Sequence, residues 1–521
     1  MDYTSISRPA HPDLKRRDRN SRNMTKIRLL LPAFSPNIFS LAFKIQMTQN
    51  KTTTVAIAGA SGFIGTALAR ELVNGCQVIG LSRKNPPPPP VAGLAWRRCD
   101  LFSLIECERA LAGADTAFYL VHAMLPSAHL TQGTFQDLDL ISADNFARAA
   151  ARVGIRHIIY LGGMIPDMPN LSRHILSRGE VERTLGAYGV PVTTLRAGIV
   201  IGLRGSSYGM FRSVLERVPL IFCPRWSTSL IQPVALADAI HLLRYCLEHP
   251  DSESCSHDIG SVDIMTYREL LERSARLLGL RRLFIGVPFS LFRLSKIFLT
   301  LISGYPRQLV SPLVESLKHS LVARELGFQQ RAGRPGIPFE QAVADSLLEE
   351  KRSGNFQAMR SALTRSKRRL PDSEHNTVRS VQRIALPLGK TARWLALQYT
   401  AWLPRFFRFL LKAEIDAAGN LFIRTRFLRL SLLELRFALE RSAASDRQLF
   451  YITGGRLARK TDQMTRRPRL EFREVLNGSA ALMAIHDYRP TLPWPLYNLT
   501  QARAHLWVMK NFARAVADFK D

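Results

Sequence analysis

The stretch TTTVAIAGASGFIGTALARELVNGCQVIGLSRK, residues 52–84, constrains the fold more than any other part of the chain. Its apolar run VAIAG reads as a buried strand of a parallel sheet, and a glycine turn follows. TALARELV then carries helical spacing, and QVIGL supplies a second apolar strand. Gly59, Gly62 and Gly65 stand at G-x-x-G-x-x-G spacing, with Ser61, Phe63 and Ile64 between them. Gly59 suits a tight exit from the strand, Gly62 lets backbone amides approach a phosphate, and Gly65 permits close packing of helix on sheet. A pyrophosphate would rest on the helix N-terminus, where unpaired N–H groups and the helix dipole favour an anion. The pattern predicts a dinucleotide site.

The end of the second strand selects the cofactor. An acidic side chain there would take ribose hydroxyls, but this chain has Ser82-Arg83-Lys84. A guanidinium grips a 2′-phosphate that a carboxylate would repel, so Arg83 favours NADP(H), with NAD(H) the second choice. The proline run 86–90 reads as a stiff lip beside this pocket. Further strand-like runs follow at 94–98, 117–124, 157–164 and 191–202, with helical patterns such as DNFARAAARVG between them. That βα rhythm predicts an α/β fold, a doubly wound parallel sheet of Rossmann type with ligands at the strand C-termini.

With GASGFIG, CDL (99–101), YLVHAM, HILSR, LRAGIVIG, PRWSTSLIQPVALADAI and IGSVDIMTYREL in order, residues 52–345 resemble the atypical short-chain dehydrogenase/reductases, in particular the NmrA-like NAD(P)H-binding family. The resemblance implies that Asp100, followed by Leu101, meets the adenine. It implies that Val121, His122 and the Gly162 strand end line the cofactor groove, and that Ala197 and Gly198 approach the nicotinamide. It also implies a small substrate-binding subdomain after Gly202, where Phe222 and Trp226 suggest an apolar pocket.

The departures from that family concern the chemistry. Active members polarise the substrate carbonyl with a Ser after the fifth strand, whereas this strand ends Leu161-Gly162-Gly163. Their Tyr-x-x-x-Lys pair is replaced by His174 and Arg178. An imidazole can donate a proton near neutrality. Arg178 can hold a ribose hydroxyl, but its permanent charge cannot relay protons. His174 and Arg178 are the candidate catalytic residues. The competing reading makes His174 a groove-lining residue in a non-catalytic NADP(H) sensor or assembly factor.

The formal charge of +30 raises two further readings, nucleic acid and an anionic membrane surface. No compact nucleic-acid module is present, so no nucleic-acid partner is expected, and peripheral membrane contact ranks second to a plain basic surface. The segment FSLFRLSKIFLTLIS (289–303) reads as an amphipathic helix rather than a membrane span. Six scattered cysteines without a Cys-x-x-Cys pair or a metal-spaced His cluster fit reduced thiols in the cytoplasm and no metal site. Residues 1–46 read as a disordered or non-native extension ahead of Met47.

Residues 47–349 form the predicted nucleotide-binding unit, 350–375 a charged linker, and 376–521 a separate α+β domain. There, strand-like runs are divided by Gly454-Gly455 and Asn477-Gly478, and a long terminal helix follows. This order is similar to the helix-grip fold of the SRPBCC superfamily, which implies an apolar cavity that Trp507, Met509 and Phe512 would line. The function expected from the whole is an oxidoreductase acting on a hydrophobic carbonyl or quinone-like substrate, with regulation through the C-terminal domain as the alternative.

Overall fold

The computed structural model describes residues 52–83, 91–124, 128–202, 205–289, 292–353, 376–459 and 467–519. The extension 1–46 and the proline run 86–90 fall outside these residues. From Thr52 onward the chain forms one compact unit.

Seven strands make the first sheet, in the order Cys255–Ile259, Val192–Ala197, His157–Gly163, Thr116–Tyr119, Thr54–Ala58, Gln77–Ser82, Leu94–Arg98. All neighbours run parallel, and Ala58 lies opposite both Leu81 and Tyr119. The strand order reverses at Thr54–Ala58, which opens a ligand crevice beyond the carboxyl ends of the central strands. These strands are apolar because helices cover both faces.

A smaller subdomain packs Tyr208, Phe211, Tyr267 and Phe339 into its own core. Its Tyr267–Leu277 helix opens with the expected capping box. Thr266 Oγ1 accepts from the Glu269 amide, and the Glu269 carboxylate accepts from the Thr266 amide at 2.6 Å. Trp226 joins this core and Phe222 is 59 % exposed, so neither forms the apolar pocket expected of them. Helix Phe292–Ser303 buries Ser295, Leu299 and Ser303 and turns Leu294, Ile297 and Leu301 outward. No helix among the described residues is long and apolar enough to cross a membrane.

The second sheet is antiparallel, running Leu411–Ile415, Leu421–Thr425, Ser431–Phe437, Arg447–Gly454, Arg469–Val475, Ala480–Tyr488, Val378–Ala385. Helices Ala392–Phe406 and Gln501–Ala517 cover one face, where Tyr399, Phe472, Met509 and Phe512 share a core. Met509 and Phe512 are core residues, while Trp507 is 53 % exposed and packs against Phe406 and Phe407.

The other face of this sheet docks on the first half. Leu130–Gln132 adds a parallel strand beside Val378–Ala385, so the two halves share a sheet. Helix Phe135–Val153, capped by Thr134 and ended by Gly154 at φ 80°, lies between the two sheets and is buried almost all round. Apolar contacts join Leu138, Leu140 and Ile141 to Val381, Leu482 and Ala484. Alternate positions of the facing strands carry charge, and several find partners across the seam, while Glu471 is paired within its own sheet by Arg447 and Arg473. Arg473 donates to Asp144 (2.6 Å) and Asn145 (2.7 Å), and Arg383 pairs with Asp137 and Glu180 (both 2.7 Å). Arg469 donates to the Phe102 carbonyl at 2.7 Å, and Arg148 pairs with Asp446 at 2.7 Å. Buried charges of this kind persist only when paired and hydrogen-bonded.

Candidate functional site

The glycine turn is built as its spacing implies. Gly59 sits at φ +93°, and a Cβ there would come within 2.8 Å of the Leu120 carbonyl oxygen. At Gly65 a Cβ would stand 2.2 Å from the Gly59 oxygen, so only glycine lets helix Phe63–Leu72 start this close to the strand. Thr66 Oγ1 donates to the Ala60 carbonyl and fixes the turn from within. Gly62 is the helix N-cap, with no capping side chain and no acid in the first turn. The free N–H groups of that turn point where an anion would sit. Ser61 and Gly62 are exposed and Arg83 is exposed past the end of the second strand, two residues beyond the Ala58–Leu81 register pair. This end of the molecule fits a dinucleotide phosphate, with Arg83 level with the turn.

Asp100 follows the third strand but its carboxylate is already engaged. It is 3 % exposed, and its carboxylate accepts from the Phe102 amide (3.2 Å) and from Arg379 of the second half (2.9 Å). The group expected at the adenine is thus committed to joining the halves. The Leu101 carbonyl accepts from Asn145 at 2.9 Å. Val121 is half-buried against the sheet core.

A cavity of about 200 Å³ lies at the carboxyl edge of the sheet. It brings together Ile64, His122, Gly162, His174, Arg178, Ala197 and Gly198, residues scattered over 135 positions and singled out from sequence alone. Apart from Ser207, Tyr267 and Ser316 the rest of its wall is apolar, with Met164, Met210, Phe211 and Leu313 among its members. A larger cleft of about 320 Å³ lies at the seam between the halves, but its Asp144, Arg148 and Asp446 are already paired with one another.

The polar groups in the smaller cavity form a line. His122 Nδ1 lies 3.3 Å from the Asp139 carboxylate, and its Nε2 lies 3.3 Å from His174 Nε2. His174 Nδ1 is 3.0 Å from Ser316 Oγ, which contacts the Pro312 carbonyl and Ser172 Oγ at 3.1 Å each. The two imidazoles stack, with centroids 5.4 Å apart. Helix Arg173–Leu185, capped by Ser172, presents His174 and Arg178 to the strand ends. Helix Arg307–Ser316 of the subdomain brings Ser316 from the opposite side.

Arg178, where the resemblance expects a lysine, is 5 % exposed and its guanidinium is bonded to Asp139. A Cβ at Gly163 would stand 3.0 Å from Arg178 Cγ, so a serine there would need that side chain to give way slightly. Burial works to raise the Asp139 carboxyl, yet Arg178 and His122 outweigh it and hold it well below the usual range. Burial, with His122 and Arg178 adding to it, takes the His174 imidazole well below its usual value, so it is neutral at pH 7. His122, 35 % exposed, is lowered by burial and then by Arg178, with Asp139 opposing.

Asp139 and Ser316 escape sequence reading. Asp139 hides in the alternating DLDL at the start of a helix whose visible pattern begins nine residues after its true start, and Ser316 ends a helix interrupted by Pro312. On the opposite rim of the sheet, Asp251, Cys255 and His257 bring ligand-type atoms within 4.8 Å of one another, a cluster their spacing does not announce. All six cysteines are free.

Comparison with known proteins places part of this chain. The sequence pattern of the NAD dependent epimerase/dehydratase family matches residues 55–190. The auxiliary protein GraX of Staphylococcus aureus is 32 % identical over 171 residues, which is 32 % of this chain and 52 % of that protein. The chain therefore spans about half the length of the curated relative it matches. Similar solved structures include a nucleoside-diphosphate-sugar epimerase from Staphylococcus aureus (15 % identity, TM-score 0.46) and an NADPH-dependent quinone oxidoreductase from Escherichia coli (18 % identity, TM-score 0.46). Each alignment covers 56 % of this chain and 99 % of the other. Over residues 55–190 the chain is thus similar to the NAD dependent epimerase/dehydratase family, and the sheet that those residues begin has a Rossmann-type strand order.

Proposed function

We propose that the chain binds NADP(H) across the carboxyl edge of the first sheet and reduces a hydrophobic carbonyl or quinone-like substrate. The observation that carries this reading is the continuous line Asp139–His122–His174–Ser316 opening into an apolar cavity beside Gly162, Ala197 and Gly198. The bound nicotinamide supplies or accepts the hydride. Gly62 and the first turn of its helix hold the pyrophosphate, and Arg83 takes the 2′-phosphate.

The four side chains supply the proton. With His122 doubly protonated, it donates one N–H to Asp139 and one to His174; His174 Nδ1–H then donates to Ser316, whose hydroxyl faces the Pro312 carbonyl or a substrate oxygen. When Ser316 gives its proton to that oxygen, it takes the His174 Nδ1 proton, and His174 takes the Nε2 proton of His122. The line ends one proton poorer, with every nitrogen again either donor or acceptor. Water recharges it at His122, the exposed member. Ser316 thus supplies the hydroxyl that the Leu161-Gly162-Gly163 strand end lacks, and Arg178 positions Asp139 rather than holding ribose.

Stopped-flow mixing of NADPH-loaded protein with quinones and aromatic aldehydes tests this. NADPH oxidation that falls at least about 100-fold in Ser316→Ala, with NADPH affinity kept, is the expected result; tight NADPH binding with no turnover of any substrate overturns it. That outcome would favour a second reading, an NADP(H) sensor working through the C-terminal half. Its support is the Asp100–Arg379 pair, which ties the loop expected at the adenine to the second sheet. The antiparallel sheet gripping helix Gln501–Ala517 supports a helix-grip assignment for that half.

A further inference from the structure

The far end of the second sheet carries a feature that neither core explains. Helix Ala392–Phe406 runs out into Phe407-Arg408-Phe409-Leu410, and the hairpin between Leu421–Thr425 and Ser431–Phe437 turns through Arg426-Phe427-Leu428-Arg429. The two segments are tied side by side. The Arg426 amide donates to the Leu410 carbonyl at 2.9 Å, and its guanidinium donates to the Arg408 carbonyl at 3.1 Å. The hairpin turn is closed by the Thr425 amide on the Leu430 carbonyl and the Leu430 amide on Thr425 Oγ1, both at 3.0 Å, with Arg429 at φ +48°. A non-glycine residue held there costs backbone energy, and what the turn achieves is to push Phe427 and Leu428 outward.

Four large apolar side chains consequently project from one rigid tip. Phe409 is 69 % exposed, Leu410 62 %, Phe427 79 % and Leu428 74 %. Single exposed apolar residues are ordinary, but a contiguous projecting group marks a contact surface. Arg405, Arg408, Arg426 and Arg429 surround the group, all exposed. None of the four forms an ion pair with a carboxylate among the described residues; Glu414 of the adjoining strand, which Arg429 also feels at longer range, is bonded to Lys412 (2.6 Å) and Arg424 (3.0 Å).

We propose that this tip docks the protein on an anionic phospholipid surface. Phe409, Leu410, Phe427 and Leu428 enter the boundary between headgroups and acyl chains, and the arginine rim meets lipid phosphates, to which guanidinium forks are matched. The occupant follows from shape and charge together. The apolar side chains protrude rather than line a groove, which suits a yielding bilayer better than a folded partner. A second copy of the chain would bring its own arginine rim against this one, and like charges oppose that pairing. The surface is remote in sequence from the nucleotide pocket and independent of what that pocket does.

Co-sedimentation of the full chain with vesicles tests the assignment, using phosphatidylglycerol mixed with phosphatidylcholine against phosphatidylcholine alone, at low and high salt. Wild type is expected to pellet with the anionic vesicles, less at high salt, and to stay largely in solution with the neutral ones. The double substitution Phe427→Ser/Leu428→Ser lowers the bound fraction at limiting lipid by at least about tenfold. Arg408→Glu/Arg429→Glu does the same for anionic vesicles only. Unchanged thermal midpoints and NADPH affinity show that the variants are folded. Wild type that stays in the supernatant, variants that pellet like wild type, or binding indifferent to lipid charge each overturn the proposal. So does a dimer, seen by sedimentation velocity, that Phe427→Ser/Leu428→Ser dissolves while vesicles bind nothing.

Discussion

Arg379, on the first strand of the second half, donates to the Asp100 carboxylate at 2.9 Å and lays its guanidinium over the Phe102 ring, 3.9 Å from the centroid. Both ends of this contact are buried, at 2 % exposure for Arg379 and 3 % for Asp100. One side chain thereby neutralises a buried carboxylate of the nucleotide half and anchors the shared sheet.

Removing either end leaves a buried charge without its partner. Arg379→Ala is expected to cost about 3–5 kcal/mol of unfolding free energy, while Arg379→Met/Asp100→Leu together cost much less than the sum. Urea denaturation of the two singles and the double measures the coupling. A double variant as unstable as the sum of the singles would mean the pair does not act as a unit.

The glycines separate fold from binding. Gly65→Ala drives a Cβ to 2.2 Å from the Gly59 oxygen, so its thermal midpoint should drop sharply. At Gly62 the nearest atom to an added Cβ is the same oxygen at 3.1 Å, with solvent beyond. Gly62→Val should therefore stay folded and lose nucleotide. Circular dichroism melts beside NADPH titrations distinguish the two effects.

Cofactor choice rests on Arg83. Arg83→Ala should weaken NADPH by about tenfold or more and leave NADH within about twofold, since only the 2′-phosphate is lost as a partner. Isothermal titration with both nucleotides checks this, and equal losses would remove Arg83 from the site.

Reduction should speed up as pH falls, because the proton line starts from a protonated His122, whose titration lies below the ordinary histidine value. The rate rises as pH drops from 8 toward that depressed value, and Asp139→Asn flattens the rise by withdrawing the carboxylate that holds the cation. Single-turnover rates across pH give the profile; a rate that climbs with pH contradicts the direction of proton flow.

Stability should move the opposite way. His486 is fully buried with no hydrogen bond to either ring nitrogen, and burial and then Arg469, Arg379 and Arg473 take it well below its usual value against the pull of Glu471. Burial also lowers His505, to about 4. The folded values lie below the unfolded value of roughly 6.5, so the unfolded chain binds protons that the native rings refuse. Their contribution is complete above about pH 6.5 and is lost as pH falls toward 4. His486→Met should shallow that decline in thermal midpoint, and an unchanged slope would clear His486 of any part in it.

What the sequence discloses follows from where each partner sits. The Gly59–Gly65 turn, the strand His157–Gly163 and the Thr266–Glu269 capping box are written within a few residues of themselves, and they form as read. The cavity residues emerged from motif order, since strand ends of a doubly wound sheet converge by topology. Helix Phe135–Val153 was legible only from Asp144 onward. Its Asp137, Asp139 and Asp144 look like a solvent face until Arg383, Arg178 and Arg473 are placed against them, two of those more than 200 residues away. The strand Val378–Ala385 hides in the sequence because Arg379 and Arg383, both committed across the seam, give it the polar look of a surface strand.

Helix Phe135–Val153, walled by a sheet on each side, also sets the smallest piece of this protein that can be handled. A fragment cut at Ser353 would present Leu138, Leu140 and Ile141 to water beside Asp137 and Asp144 stripped of Arg383 and Arg473, and should clump or unravel rather than bind nucleotide. Assays and crystals alike call for the undivided chain.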